Sequence, residues 1–361
     1  MLLSWIFTPL MRSLAYRTGY LDQPGERKVH HQAKPLLGGA AIYAAFMITV
    51  IGNLLILWWI DNQNFPSNNW LFAQLNYLAN FAAGTTAVLG ELLGLLLGGT
   101  VLFIVGLVDD RLGMNPLIKL VGQLIAAIIL YMASIQINLF IQQPFINFML
   151  TLFWIVLITN SFNLLDNMDG LSAGVAMICL ILLGVAAHLV NQQGFISSIN
   201  FVLAGCLAGF LRYNINPSSI FMGDTGSLFV GFMVSALTVQ TTFYVQGEMA
   251  TSWSVVMPFV ILAVPIFDTV SVICIRIKNK KPIYLGDKNH FSHRLVALGM
   301  SHRRAVFFIH VVTFSVGCSA LVLAIIDESF FAYIVLLQTV AVFVIISMLE
   351  NIKKNGNGNQ K

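Results

Sequence analysis

The sequence predicts an all-α integral membrane protein, a bundle of about eleven transmembrane helices with ten as the lower count. Three observations carry this. Of 361 residues, 58% are hydrophobic and only 9% charged, against about 25% charged in a soluble domain. The apolar residues fall in runs long enough to cross a bilayer. The basic residues all lie on alternate loops or on the helix ends beside them.

The runs occupy about 2–18, 36–60, 88–107, 117–134, 146–165, 173–191, 198–213, 226–245, 254–276, 305–326 and 330–349, each near the ~20 residues a span needs. In the short first run, Arg12 can snorkel to the interface. That run has neither a basic leader nor a small-residue cleavage site, so it reads as a span rather than a signal peptide. The loops containing 17–35, 108–116, 166–172, 212–225, 277–304 and 350–361, with their flanking helix ends, hold all 19 Lys and Arg. The other loops carry only Asp61, Glu248, Asp327 and Glu328. The positive-inside rule makes the first set cytoplasmic, with the N-terminus outside and the C-terminus inside. Residues 1–350 form one transmembrane catalytic domain, and 351–361 reads as a disordered cytoplasmic tail. The four cysteines, Cys179, Cys206, Cys274 and Cys318, lie in apolar runs without metal-ligand spacing and read as small buried hydrophobes. The net charge of +4 gives no signal for nucleic acid.

The orientation gathers the chemically capable residues at one face. Asp109 and Asp110 are adjacent carboxylates at a helix end. They demand a cation, or form a solvated pair neutralised by Arg111. Asn163, Asp166 and Asp169 recur at a spacing that puts them on one helical face. They suit Mg²⁺ shared with substrate phosphates, or cap a helix. Gly223-Asp224-Thr225-Gly226-Ser227 reads as a turn into a helix start, where Asp224 is a metal ligand or an N-cap. His290, His293 and Arg294 lie in a basic segment suited to phosphate. Lys28 and His30 add a further basic segment, and Gly38-Gly39 permits close backbone approach at a helix start. Lys119 sits within reach of a phosphate at the interface. Asp268 is an acid inside the ninth span, functional by default, and Pro258 and Pro265 are expected to break that helix and open Asp268 to the cytoplasmic side. His302 and His310 read as interfacial. Together these residues fit phosphoryl chemistry on an anionic substrate at the membrane surface.

The ordered set Arg27-Lys28-x-His30, Pro35-x-x-Gly38-Gly39, Asp109-Asp110-Arg111, Asn163-x-x-Asp166-x-x-Asp169-Gly170, Phe221-Met-Gly-Asp224-x-Gly-Ser227 and His290-x-x-His293 resembles the polyprenyl-phosphate N-acetylhexosamine-1-phosphate transferases. The match runs from about residue 17 to 304. The resemblance implies a bacterial inner-membrane enzyme, active at the cytoplasmic face. It would transfer the sugar 1-phosphate of a UDP-N-acetylhexosamine to undecaprenyl phosphate and release UMP. Mg²⁺ is the implied cofactor and Mn²⁺ its alternative; membrane lipids and a second copy in a homodimer are the implied partners. Asp224 and Asn163 would hold the metal, and Asp109, with Asp110 nearby, would act as base toward the lipid phosphate or position it. Asp169 would contact uracil, Lys119 a phosphate, and His290 and His293 the donor sugar and phosphates. Asp166 would bind substrate or support the site, as would Asp268 from behind. Span number favours the branch transferring GlcNAc-1-phosphate for lipopolysaccharide or teichoic acid. The phospho-MurNAc-pentapeptide transferases are the alternative, and Ser292 stands where both branches carry His. A secondary transporter is a remoter alternative, since only Asp268 lies deep.

Overall fold

The structure, a computed structural model, describes residues 1–24, 33–61, 88–138, 143–191, 193–242, 253–283, 289–326 and 328–356. Its helices are α1 Leu2–Thr18, α2 Gly38–Asp61, α3 Leu89–Leu112, α4 Pro116–Met132, α5 Pro144–Leu165, α6 Leu171–Asn191, α7 Gly194–Asn214, α8 Gly223–Thr242, α9 Met257–Ile261, α10 Ala263–Lys278, α11 Phe291–Ala297, α12 His302–Ile325 and α13 Ser329–Gly356. Between α1 and α2 a two-residue ladder pairs β1 Leu21–Asp22 antiparallel with β2 Lys34–Pro35. Every expected span finds a helical counterpart, the ninth as the pair α9–α10. Among the described residues, seven helices are long and apolar enough to cross a membrane on length and composition alone. Their outer faces carry side chains such as Leu55, Trp58, Leu97, Phe153, Phe307 and Leu337, each more than half exposed. An aqueous surface does not tolerate so continuous an apolar shell, so the surrounding medium is lipid.

The centre of the bundle is α8, which packs against α2, α3, α5 and α6. Phe229, Phe232, Met233 and Leu237 are fully enclosed, and so are the hydroxyls of Ser227, Ser235 and Thr238. Small residues let backbones meet there, as membrane helix packing requires. A Cβ on Gly39 would lie 2.1 Å from the Gly226 nitrogen, and one on Gly106 would lie 2.3 Å from the Asp224 carbonyl oxygen. The start of α8 is thereby clamped between α2 and α3.

The ninth span breaks at Leu262, but its prolines do not kink a helix interior. Pro258 lies in the first turn of α9 and Pro265 in the first turn of α10, where a missing N–H costs nothing. Three other expectations shift. Cys179 and Cys206 are buried as expected, but Cys318 is half-buried and Cys274 exposed, in lipid contact that a thiol accepts as readily as a core. The last helix runs to Gly356, past the expected tail boundary at 351, because Asn and Lys do not stop a helix as Gly does; 357–361 lie outside the described residues. His310 is half-buried rather than interfacial. Its ring lies where a Cβ on Gly174 would be, with Nε2 3.4 Å from the Leu171 carbonyl.

Candidate active site

The ends of α3 and α5 and the starts of α4 and α8 meet at one face of the bundle. Gly113, at φ 67°, ends α3, and Asn115 starts α4 by accepting the Leu117 N–H at 2.9 Å, with Pro116 at the first helical position. This short turn folds Lys119 back over Asp109. Lys119 Nζ lies 3.1 Å from Asp109 Oδ2 and 2.8 Å from Asp224 Oδ2. Asn163, at the end of α5, donates through Nδ2 to Asp224 Oδ1 at 3.0 Å and to Ser227 Oγ at 2.8 Å. Four helices thus contribute to one centre, built on Asp109, Lys119, Asn163 and Asp224.

Asp110 has a different place from its neighbour. Its Oδ1 accepts the Asp224 N–H at 2.8 Å, and its Oδ2 accepts both the N–H and the hydroxyl of Thr225. An anion on the exposed amides of a helix start is a cap supplied from another helix. Asp110 therefore fixes α8 and aims Asp224, and this geometry gives it a positioning role where the sequence suggested chemistry. Asp109 has one oxygen on Lys119 and the other on the Met114 N–H at 2.6 Å.

The loop from Asp166 to Gly170 lies alongside. Asp169 Oδ2 accepts the Asn216 side-chain amide and the Ser218 N–H, both at 3.0 Å. Asn214 is buried and spans the same two loops, accepting from Gly170 N–H and donating to the Ile220 carbonyl. Among the described residues no donor reaches the Asp166 carboxyl, and burial, then the charges of Asp224, Asp110 and Asp169, hold its pKa well above the usual carboxylate range.

The donor set fits a hard cation. It is all oxygen, and the carboxylates 109, 110, 166, 169 and 224 crowd together with one ammonium, Lys119, set between two of them. Among the described residues no three or more His, Cys, Asp and Glu side chains are arranged to hold a metal ion by themselves, so an ion here would need substrate phosphates to complete its shell. Asn163 now offers Asp224 its NH₂, so ligation requires the amide to turn its oxygen inward.

The histidine segment is anchored from behind by Asp268, which is 1% exposed. Its Oδ2 lies 2.9 Å from His290 Nδ1, and its Oδ1 accepts the Phe291 N–H at 2.5 Å. Asp268 is therefore not open to the cytoplasmic side; it holds His290 at the start of α11. Ser292 is buried and donates to Asn167 Oδ1 at 2.6 Å, joining the histidine segment to the Asp166–Asp169 loop. The ring centroid of His293 lies 6.4 Å from that of His290. Arg294 reaches Glu350, Ser271 and the Asn289 carbonyl. It ties α11 to α10 and α13. Gly38 and Gly39 donate to the carbonyls of Phe221 and Met222 at 3.0 and 2.8 Å, so their close approach is to the segment that enters α8. Lys28 and His30 lie outside the described residues.

Sequence reading missed Thr225, Asn214, Ser218 and the Ser292–Asn167 contact. Asn214 carried a usable signal, an amide at the end of a largely apolar helix; the others needed the fold.

Residues 92–242 match the model of glycosyl transferase family 4. The chain is 34% identical over 327 residues to a probable undecaprenyl-phosphate N-acetylglucosaminyl 1-phosphate transferase of Bacillus subtilis (strain 168), covering 88% of this chain and 81% of that protein. This chain belongs to glycosyl transferase family 4. It is also 29% identical over 337 residues to the decaprenyl-phosphate N-acetylglucosaminephosphotransferase of Mycolicibacterium smegmatis, over 86% of this chain and 77% of that one. With the undecaprenyl-phosphate alpha-N-acetylglucosaminyl 1-phosphate transferase of Escherichia coli (strain K12) it shares 25% identity over 322 residues, 85% and 77% of the two lengths. The family match takes in the whole four-helix centre, from α3 to α8.

Proposed function

We propose that this chain transfers GlcNAc 1-phosphate from UDP-GlcNAc to undecaprenyl phosphate, releasing UMP, at the cytoplasmic face of a bacterial inner membrane. The observation that carries this reading is the Lys119 ammonium held between Asp109 and Asp224 where four helix ends converge. The relatives' names supply the donor and acceptor classes, and the one-sided Lys and Arg supply the orientation.

Phosphoryl transfer needs positioning and charge stabilisation more than covalent help from the protein. An oxygen of the lipid phosphate attacks the sugar-linked phosphorus of the donor, a new P–O bond forms, and the bond to the bridging oxygen breaks to release UMP. Lys119 stabilises charge at the reacting phosphates. Asp109, with both oxygens already engaged, orients Lys119 and takes a proton from the lipid phosphate rather than serving as a nucleophile. Asp224 and Asn163 would hold Mg²⁺, which when bound neutralises and polarises the donor diphosphate. His290, steadied by Asp268, contacts the donor, and Asp169 lies on the nucleotide side.

The test is UMP release by the detergent-purified full chain with UDP-GlcNAc, undecaprenyl phosphate and Mg²⁺, run against UDP-GalNAc and UDP-MurNAc-pentapeptide. Preference for UDP-GlcNAc supports the reading; preference for the pentapeptide donor overturns the choice of sugar. UMP exchange into UDP-GlcNAc without lipid would overturn the direct displacement.

A further inference from the structure

The reaction centre draws Lys119 from α4, which packs between α3 and α5 with its outer face exposed. Leu117, Ile118, Val121 and Ile125 face lipid, and the buried face is Gly122, Gln123, Ala126, Ala127 and, two turns further on, Leu130, so small residues dominate it near Lys119. Small residues bring helices close but do not fix how far one slides or turns against another. One turn below Lys119 a polar contact breaks this smooth surface. Gln123, 1% exposed, donates through Nε2 to Asn160 Oδ1 at 3.2 Å and accepts from Asn160 Nδ2 at 2.6 Å. Asn160 also donates to its own helix at the Val156 carbonyl, 2.8 Å away, which fixes its rotamer. The only other polar side-chain tie from α4 to α5 among the described residues is Tyr131 to the Pro144 carbonyl, at 3.5 Å. Gln123 follows Lys119 by four residues, and Asn160 precedes Asn163 by three. Each amide therefore lies next to a site residue on the same helical face. A two-point amide pair surrounded by hydrocarbon resists both sliding and rotation, because any slip leaves polar atoms unpaired.

We infer that the Gln123–Asn160 pair is a positioning device that locks α4 to α5 and so sets Lys119 relative to Asn163 and Asp224. The inference rests on the site reading above. Neither amide touches substrate; both act through the helices that carry the reacting groups.

The test uses the full chain in detergent with UDP-GlcNAc, undecaprenyl phosphate and Mg²⁺, comparing wild type with Gln123→Met, the swapped double variant Gln123→Asn/Asn160→Gln, Lys119→Ala and Asn163→Ala. The Met variant removes the pair at nearly constant volume. We expect kcat to fall about 10-fold or more, as for displacement of reacting groups by a fraction of an ångström, with the folded fraction unchanged. The swap restores two facing amides at the same combined length and should recover most of the loss. A Met variant within two-fold of wild type overturns the inference. So does a loss that only follows the unfolded fraction, or a folded swap variant as slow as the Met variant. If the Met variant does not fold, the swap variant decides against wild type: a folded swap variant with kcat about 10-fold or more below wild type overturns the inference. If Lys119→Ala and Asn163→Ala keep activity, the site reading itself fails; if they lose it while the Met variant does not, only this inference fails.

Discussion

Replacing Asp268 by Asn is the sharpest single-atom test of the site. The carboxylate is 1% exposed and accepts from His290 Nδ1 at 2.9 Å and from the Phe291 N–H at 2.5 Å. With Nδ1 donating, the neutral imidazole carries its acceptor on Nε2, the atom left for the donor contact proposed above. Asn keeps the shape but offers one acceptor and one NH₂. Satisfying Phe291 then turns a donor toward Nδ1 and forces the other tautomer, while satisfying His290 leaves the Phe291 amide unpaired. Hydrogen bonds to a buried charged group contribute about 1.5–3 kcal/mol. Losing one at the upper end of that range corresponds to about 100-fold in rate if it is expressed in the transition state. The assay is kcat/KM for UDP-GlcNAc by UMP release, beside the thermal midpoint in detergent. We expect about 100-fold lower kcat/KM, and a comparable loss for His290→Ala that is not additive with it. Full activity of Asp268→Asn beside an inactive His290→Ala would refute the idea that this contact orients the imidazole.

Asp110 and Asp109 should separate. Asp110→Ala removes the cap of α8, lowering the thermal midpoint by the equivalent of about 1–2 kcal/mol as well as activity, whereas Asp109→Ala should abolish turnover with a smaller stability change. Gly106→Ala would place a Cβ 2.3 Å from the Asp224 carbonyl oxygen, so loss of Mg²⁺-dependent activity is expected even in whatever fraction folds. The raised pKa of Asp166 means that the folded metal-free protein binds a proton the unfolded chain has released. Stability therefore falls as pH rises from the ordinary carboxyl range through the raised value. Thermal scans without Mg²⁺ should show this slope, Mg²⁺ should reduce it, and Asp166→Asn should remove it.

How much of this was legible without coordinates depended on the kind of force involved. The spans were readable because bilayer burial imposes a length and a composition. The convergence of Asp109, Asp224 and Asn163 at one face was readable because Lys and Arg report orientation. The division of labour between adjacent carboxylates was not. Asp109 and Asp110 look alike in sequence, and only the position of the α8 start shows that one caps a helix while the other meets Lys119. The Arg294–Glu350 pair was hidden for a related reason: a guanidinium suits a phosphate and a glutamate equally well, and Glu350 is distant in sequence. The expected opening of Asp268 failed because the prolines start two helices instead of kinking one.

Lys119 is carried by a helix whose outer face meets lipid at Leu117, Ile118 and Val121, and its own side chain is 22% exposed. The phosphate of a membrane-dissolved acceptor can approach by lateral diffusion without leaving the leaflet. Turnover would then respond to the acceptor's mole fraction within the membrane or micelle and not to its amount per volume. Adding inert detergent at fixed total acceptor should slow the enzyme by surface dilution, while the soluble donor keeps ordinary bulk kinetics.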